Sequence, residues 1–392
     1  MTDRGFTTRA VNAWREIEHA AGSSPASPPL YQSATWIFDD MEHFASVGQT
    51  KIEGGYLYTR WGNPTTDAVA RVIATLEGAE ATACFSSGMA AIFGTVFSSV
   101  ESGDHVVAAT QLYGGTHGLF GHVLPRMGVA VTKLDVHDHA GIERAFTGRT
   151  RVLYCETLGN PALDVADLDT LSAIARAHGA LLVVDATFTP PSILRPIEHG
   201  VDLVLHSATK YLSGHSDVTG GVVSGRAAGI ARIRSFGIDL GAVLSPFESW
   251  LLGRGVQTLA LRSDRICDSA LQIARALESH PNVARVLYPG LESHPDHDLA
   301  KRLLGDRFGG MIAFDVGSAE RGRRLLERVK VCAPAASLGG TKTLIVHPVS
   351  ITHTQLSPDE RRAAGITDGM IRLSVGIEDV MDLIADLEQA LT

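Results

Sequence analysis

Short runs of aliphatic and β-branched residues alternate along the chain with longer stretches in which apolar residues recur every three to four positions. The short runs predict strands at 105–109, 130–134, 151–155, 180–184, 202–205 and 221–224. The longer stretches predict helices from Thr65 to a stop at Gly78, over 168–178, over 259–279, and through Leu383, Leu387 and Leu391. Strands without polar positions, such as 181–184, are typical of a sheet covered on both faces. The alternation predicts an α/β fold with a mostly parallel sheet and ligands at the carboxyl ends of its strands.

The pattern changes near both ends of the chain. Up to about Gln49 it mixes Pro, Ser and Gly with isolated aromatic residues, which predicts an extended arm that buries its apolar groups against a partner subunit. After about Gly255 a long helix leads into a smaller α+β region. We therefore expect an N-terminal arm over 1–60, an α/β domain over 61–255 and a C-terminal domain over 256–392.

Composition excludes several classes of protein. Of the 392 residues 45% are hydrophobic and 20% charged, as in globular domains, and the net charge of −9 argues against a nucleic-acid-binding protein. There is neither an apolar run long enough for a membrane span nor the apolar core of a secretory signal. The four cysteines are scattered without CxxC pairing, which favours neither a zinc site nor a disulfide framework. A soluble cytoplasmic protein is the expectation.

The most informative stretch follows the strand predicted at 202–205. Ser207 and Thr209 could both donate hydrogen bonds to one phosphate, and Lys210 comes next, placed to form a Schiff base with an aldehyde that the phosphate anchors. A surface loop with a solvated lysine would show the same short motif.

Two further positions suit a flat heteroaromatic ring. Asp185 ends the strand predicted at 180–184, where its carboxylate could pair with a protonated pyridine nitrogen or, alternatively, cap a helix. Tyr113 lies in a Gly-containing turn and could stack on such a ring or pack on the core.

Three segments suit anions. Gly88 and Met89 begin a helix whose first N–H groups could bind a phosphate, although any tight strand-to-helix turn looks similar. Tyr58 and Arg60 supply a phenol and a guanidinium. Arg372 lies among apolar residues of a predicted strand and needs an anion, either a substrate α-carboxylate or an internal acid.

Lysine, ring-pairing aspartate, phosphate donors, stacking tyrosine and carboxylate-binding arginine are the parts that a pyridoxal 5′-phosphate (PLP) enzyme needs. From about Tyr31 to its last residue the chain resembles the family of cystathionine γ-synthase, cystathionine γ-lyase and methionine γ-lyase, a branch of the fold-type I PLP enzymes. The motifs that carry the resemblance lie at 58–65, 87–89, 185–188, 207–217, 337–339 and 372–376. It implies a mostly parallel central sheet with helices on both faces and a smaller C-terminal α+β domain.

The resemblance also implies roles for individual residues. Lys210 would form the Schiff base and shuttle protons, Asp185 would hold the pyridinium, and Tyr113 would stack on the ring and protonate the leaving group. Thr187 would lie on the other face of the ring, and the phosphate cup would consist of Gly88, Met89, Ser207 and Thr209. Tyr58 and Arg60 would reach the phosphate of the neighbouring subunit. The substrate α-carboxylate would be held by Asn160, Ser337 and Arg372. The active unit would be a dimer within a tetramer.

Within the family, the resemblance favours α,γ-elimination of L-methionine. Members that use cystathionine have a Glu before the Ser-Leu-Gly motif, where this chain has Ala336. The compact length of this chain is similar to that of the lyases. Methionine γ-lyases, however, have a Cys at the position of Gly115 and a Lys-Asp pair near Gly237 and Ile238. A homoserine-ester sulfhydrylase and a cystathionine γ-lyase or γ-synthase remain alternatives.

Two other classes remain open. A catalytically silent PLP-binding regulatory protein would keep the fold, but Lys210, Asp185 and Tyr113 argue for an enzyme. A Rossmann-type dehydrogenase would need GxGxxG after its first strand, and the segment at 87–91 lacks it.

Glu156 resembles a supporting acid of the family, although 157–159 departs from the usual Ser-Pro-Ser.

Overall fold

The structure is a computed structural model, and it describes residues 4–16, 25–50, 55–351, 361 and 365–392. The chain divides into two compact units. The first comprises Met1–Ser98 and Leu205–Thr258, and the second comprises Ser99–Val204 and Leu259–Thr392. The domain boundaries expected near residues 60 and 255 stay predictions.

Seven strands form a mixed, mostly parallel sheet: β1 (Ala81–Phe85), β2 (His105–Ala109), β3 (Ala130–Leu134), β4 (Thr150–Glu156), β5 (Leu181–Asp185), β6 (Leu203–Ser207) and β7 (Gly221–Gly225). In the second unit the order is β5-β4-β2-β3, and these neighbours are all parallel. In the first unit β1 pairs antiparallel with β7. Every residue of β2 is buried, as the apolar runs predict for a sheet covered on both faces.

A second sheet lies wholly within the second unit. It contains β8 (Arg285–Leu287), β9 (Met311–Asp315), β10 (Ala333–Pro334), β11 (Leu344–Val346) and β12 (Met370–Ser374), in the order β10-β11-β12-β9-β8. β12 is its central strand and pairs antiparallel with β9 and β11. Arg372, paired with Ala313 and Val346, therefore lies in the middle of the sheet and is buried.

The α-helices, in chain order, are α1 (Phe6–Asn12), α2 (Met41–Thr50), α3 (Pro64–Glu77), α4 (Gly88–Phe97), α5 (Gly114–Gly118), α6 (Leu124–Arg126), α7 (His139–Ala145), α8 (Leu168–Ala177), α9 (Ala227–Leu240), α10 (Pro246–Val256), α11 (Leu259–Glu278), α12 (His297–Leu304), α13 (Ala319–Arg328), α14 (Pro348–Ile351) and α15 (Val380–Leu391). Two 3-10 segments lie at Ala13–Glu16 and Pro196–His199, and a π-helical turn at Leu119–Val123. None of the described helices has the length and apolar character that crossing a membrane requires.

The helix predicted after Thr65 shows why the sequence signals work. Asn63 caps α3 by accepting a hydrogen bond from the Thr65 N–H, with Pro64 at the first helical position. Gly78 ends the helix in the left-handed region, with φ of +73°. The strands and the other three helices predicted by periodicity are all present. Where both bounds were predicted they differ by no more than two residues, and the last helix begins three residues before Leu383.

The N-terminal segment differs in part from the prediction of an extended arm. It contains α1 and α2, and α1 packs on α3 with Ala10 fully buried. Arg9 donates a hydrogen bond from Nη1 to the Thr75 carbonyl of α3 at 2.8 Å. α2, by contrast, is mostly exposed, and the stretch 25–40 is non-helical and mostly exposed, so packing on the same chain accounts for α1 but not for α2. Residues 1–3, 17–24 and 51–54 of the expected arm lie outside the described residues.

The pattern also missed β1. Its residues are mostly small (Ala-Thr-Ala-Cys-Phe), so intrinsic strand preference is weak. Pairing with β7 and burial of Phe85 supply what local preference does not.

Candidate active site

The Lys210 segment is a tight turn at the carboxyl end of β6. The Lys210 N–H donates to the Ser207 carbonyl at 3.1 Å, and the Gly214 N–H donates to the Lys210 carbonyl at 2.8 Å. Tyr211 and Leu212, each 1% exposed, anchor the turn in the core. Because the backbone is fixed on both sides, the half-buried Lys210 has a defined attachment point for its amine.

Gly88 places the first turn of α4 against Ser207. A Cβ on Gly88 would lie 2.8 Å from the Ser207 Cβ, closer than atoms pack, so only glycine permits this approach. Ser87 caps the helix by accepting from the Ala90 N–H at 3.1 Å. The early N–H groups of α4, including that of Met89, and the Ser207 hydroxyl thus occupy one corner of the first unit. Their contact with a phosphate stays a prediction.

Thr209 makes internal contacts in this corner. Its hydroxyl accepts from the Gly220 N–H at 3.0 Å and lies 3.2 Å from the Gly220 carbonyl. These bonds tie the lysine turn to the segment that enters β7. The contact of Thr209 with a phosphate stays a prediction.

A buried pair beneath this corner was not found from the sequence. His206 Nε2 and Glu77 Oε1 lie 2.6 Å apart, with both side chains at most 1% exposed. The contact fixes the end of β6 to α3. Its only signal in the sequence is one histidine inside an apolar strand.

Tyr58 and Arg60 lie together in the turn before α3. The Arg60 Cζ atom is 5.9 Å from the centre of the Tyr58 ring, and Arg60 Nη1 donates to the Ile238 carbonyl at 2.7 Å. Arg234 holds the same turn through the Trp61 carbonyl, at 3.1 Å. Tyr58 is 44% exposed, which leaves its ring accessible to another molecule.

In the second unit, two acids lie side by side where β4 and β5 end. Glu156 and Asp185 occupy paired register positions and are 7% and 8% exposed. Asp185 accepts hydrogen bonds from the Thr187 N–H at 2.9 Å and the Thr187 hydroxyl at 2.5 Å. Burial, and then the negative charge of Asp185, raise the pKa of Glu156 well above its usual range.

Tyr113 is attached to this acidic pair. Its N–H donates to Glu156 Oε1 at 2.6 Å, which places Tyr113 at the start of α5. The ring itself is 48% exposed. A ring held at its backbone and open on one side is suited to stacking.

Two of the residues predicted to bind the substrate carboxylate are in contact. Arg372 Nη1 donates to Asn160 Oδ1 at 3.1 Å, and Arg372 is 4% exposed. The segment that follows the half-buried Ser337 is tied to the same strand, because the Gly339 N–H donates to the Ser374 hydroxyl at 2.9 Å. A buried guanidinium beside an amide is a forked donor suited to a carboxylate.

These residues fit PLP on the chemistry of their donors. A helix N-terminus with a hydroxyl suits the phosphate, and a buried carboxylate that already accepts two hydrogen bonds suits a ring N–H cation. The corner around Lys210 belongs to the first unit, and the groups around Asp185 and Arg372 belong to the second.

Comparison with known proteins decides the family. The family model for Cys/Met metabolism PLP-dependent enzymes matches residues 7–392. The chain belongs to this family. The predicted PLP dependence and the predicted family are thereby confirmed.

Relatives in the family cover nearly all of the chain. An L-methionine gamma-lyase of Fusobacterium nucleatum subsp. nucleatum is 47% identical, with 100% of this chain and 99% of that protein covered. An L-methionine gamma-lyase of Pseudomonas putida is 42% identical, at 99% and 97%. A cystathionine gamma-lyase of Bacillus subtilis is 44% identical, at 93% and 94%.

A solved structure agrees with the fold. A putative O-acetylhomoserine (thiol)-lyase of Campylobacter jejuni, crystallised with a pyridoxyl-lysine phosphate group, superposes with a TM-score of 0.92 and is 33% identical. The alignment covers 99% of this chain and 100% of that one. The predicted fold class of this PLP-dependent family member is confirmed.

Proposed function

We propose that the protein is a PLP-dependent carbon–sulfur lyase that cleaves L-methionine, with water, to methanethiol, ammonia and 2-oxobutanoate. The observation that carries the choice of substrate is the group of L-methionine gamma-lyases that are 42–47% identical to this chain over at least 99% of its length. Product analysis by mass spectrometry with L-methionine, L-cystathionine, and O-acetyl-L-homoserine plus sulfide tests it. Products from the homoserine ester alone would contradict it.

The resemblance assigns each part of the cofactor to particular residues. Lys210 would bind its aldehyde carbon, Asp185 would accept from its ring nitrogen, and Tyr113 and Thr187 would lie against its ring. The phosphate would be held by Gly88, Met89, Ser207 and Thr209. PLP, when bound, supplies an electron sink for negative charge that develops on substrate carbons.

Proton movements would be the work of the protein. The amine of Lys210 would remove a proton from Cα, give that proton up, and then, neutral again, remove a second proton from Cβ, because it is tethered near both carbons. The Tyr113 hydroxyl gives a proton to the departing sulfur, which leaves more easily as a thiol. Arg372, Asn160 and Ser337 hold the α-carboxylate and so fix the direction of the Cα–H bond.

Ala336 gives a test of substrate preference. A second ammonium, as in cystathionine, finds no acid at this exposed position, which removes a charge-assisted contact of about 1.5–3 kcal/mol, or roughly 10- to 150-fold. We expect kcat/KM for L-methionine to exceed that for L-cystathionine. Ala336→Glu should narrow the gap, and the neighbouring Ala335→Glu is the control for added charge. Faster turnover of cystathionine by the natural chain would contradict the assignment.

Gly237 explains one departure from the methionine γ-lyase pattern. A Cβ there would lie 2.7 Å from the Phe85 ring, so a lysine at this position would displace a fully buried aromatic residue. In this chain the Phe85 ring occupies the space beside Gly237. We propose that methionine is bound without the Lys-Asp pair.

The active site would be shared between two subunits, with Tyr58 and Arg60 reaching the phosphate of the neighbour. The exposed Tyr58 ring and the tethered Arg60 turn support this proposal. Assembly as a dimer of dimers and a cytoplasmic location stay predictions from the sequence.

Subunit mixing tests the sharing. Arg60→Ala and Lys210→Ala proteins should each be inactive, whereas an equimolar mixture should recover about a quarter of wild-type activity, since half of the dimers are hybrid and each has one intact site. Native mass spectrometry confirms exchange. No recovery after exchange would count against a shared site.

A further inference from the structure

The loop that carries Asn160 is closed by backbone hydrogen bonds. Over 157–166 the Gly159 N–H donates to the Asp164 carbonyl at 2.8 Å, and the Ala166 N–H donates to the Thr157 carbonyl at 3.2 Å. We call this segment the Asn160 loop. The position of the Asn160 loop sets the position of the Asn160 side chain relative to Arg372.

One side chain from outside holds the returning arm of the Asn160 loop. Asp296, which precedes α12, accepts the Val165 N–H through Oδ2 at 2.9 Å. The same oxygen lies 3.1 Å from His137 Nε2. Asp296 therefore links the loop to His137.

His137 in turn is held from its other side. The ring Nδ1 of His137 lies 3.1 Å from Asp135 Oδ1, and the backbone N–H of His137 donates to the same oxygen at 2.9 Å. Asp135 Oδ2 accepts from the Gln111 amide at 2.9 Å. Both ring nitrogens thus face carboxylates, so both are donors only when the ring is protonated.

The surroundings favour the charged ring. Asp135, Asp296 and Asp164 all act on it electrostatically, and the hydrogen bond to Asp296 is the main reason that the pKa of His137 is raised to about 9. The nearby His294, which also feels the charges of Arg285 and Asp296, has its pKa lowered to about 4 by burial, so it is neutral above pH 6. Of His137 and His294, His137 is therefore the one that carries charge at neutral pH.

We propose that His137, as a cation between Asp135 and Asp296, is a positioning residue for the site that binds the substrate α-carboxylate. Without its charge, the repulsion between Asp296 and Asp164 is uncompensated, and Asp296 holds the Val165 N–H and the Asn160 loop less firmly. Asn160 then no longer orients Arg372. The inference rests on the proposed role of Asn160 and Arg372 but not on the choice of methionine, since every candidate substrate has an α-carboxylate.

The test uses the PLP-loaded enzyme and three variants. His137→Gln removes the charge, and His137→Arg keeps it at all accessible pH values. His199→Gln is the matched control, since His199 makes a 2.9 Å contact with Asp169 outside this cluster. We expect His137→Gln to raise the KM for the amino-acid substrate about 3- to 10-fold at pH 7, with a smaller effect on kcat. His137→Arg keeps the charge and should have a KM close to that of the wild type. His199→Gln should leave KM unchanged.

The pH dependence gives a second readout. Because the folded-state pKa of His137 is raised above its ordinary value of about 6.5, its contribution to stability is complete below that value and is lost as pH rises through about 9. The wild-type KM should therefore rise between pH 8 and pH 10, and it should not in His137→Arg. The difference in Tm between wild type and His137→Gln should shrink over the same range. Asp135→Asn, at an exposed position, should move the rise in KM to lower pH.

The outcomes separate the two proposals. An unchanged KM in His137→Gln, or an equal change in His199→Gln, would overturn the role of His137. If the enzyme uses a homoserine ester instead of methionine and His137→Gln still raises KM, the role of His137 stands and the proposed lyase activity fails.

Discussion

Lys210→Ala should abolish both the yellow colour of the purified, PLP-loaded protein and its turnover of L-methionine. The amine is the proposed attachment point for the aldehyde and also the base for two successive proton transfers. Loss of a positioned acid–base group alone costs about 10²- to 10⁴-fold, so we expect a fall of at least about 10³-fold. Visible absorbance after dialysis and a methanethiol assay measure the two effects.

The control is a lysine with no proposed role. Lys330→Ala, at an exposed position in the same chain, should keep both the colour and the rate. A wild-type protein that stays colourless after incubation with PLP would contradict the proposed role of Lys210. Activity retained in Lys210→Ala would contradict its role as the base.

The sequence predicted the parts of the fold in which local pattern and packing agree. The Asn63 cap, the apolar stripe of α3 and the Gly78 stop all indicate one helix, and the structure has it. β1 was missed because small residues become a strand only by pairing with β7, a partner about 140 residues away. α1 was missed because its helix is stabilised by packing on α3, which a local pattern does not report.

The same distinction between local pattern and distant partners applies to the candidate site. Asp185 was found from the sequence because it directly follows an apolar run, and Arg372 because an arginine in such a run needs an anion. Two contacts that support the candidate site from outside, His206 to Glu77 beneath the Lys210 turn and His137 to Asp296 beside the Asn160 loop, join residues more than 100 positions apart. Side-chain partners at such separations follow from the topology and leave no periodic signal.

Asp185→Asn should reduce methionine turnover by about 10²-fold or more, the scale of removing one preorganised electrostatic contact at a reacting group. The change keeps the size of the side chain and an oxygen that accepts from Thr187. It removes the negative charge that would keep the ring nitrogen of the cofactor protonated. Steady-state kinetics measure the loss, and fluorescence titration with PLP separates it from loss of binding.

Glu156→Gln is the matched control, and it makes the prediction specific. Burial and the charge of Asp185 raise the pKa of Glu156 and so favour its neutral acid, which a glutamine resembles in shape and charge. The glutamine oxygen can still accept from the Tyr113 N–H. We therefore expect Glu156→Gln to lower turnover by less than about fivefold, since no charge is lost at the site. Equal losses in the two variants would show that the acids act as one charged pair, and a small loss in Asp185→Asn would remove its proposed role at the ring nitrogen.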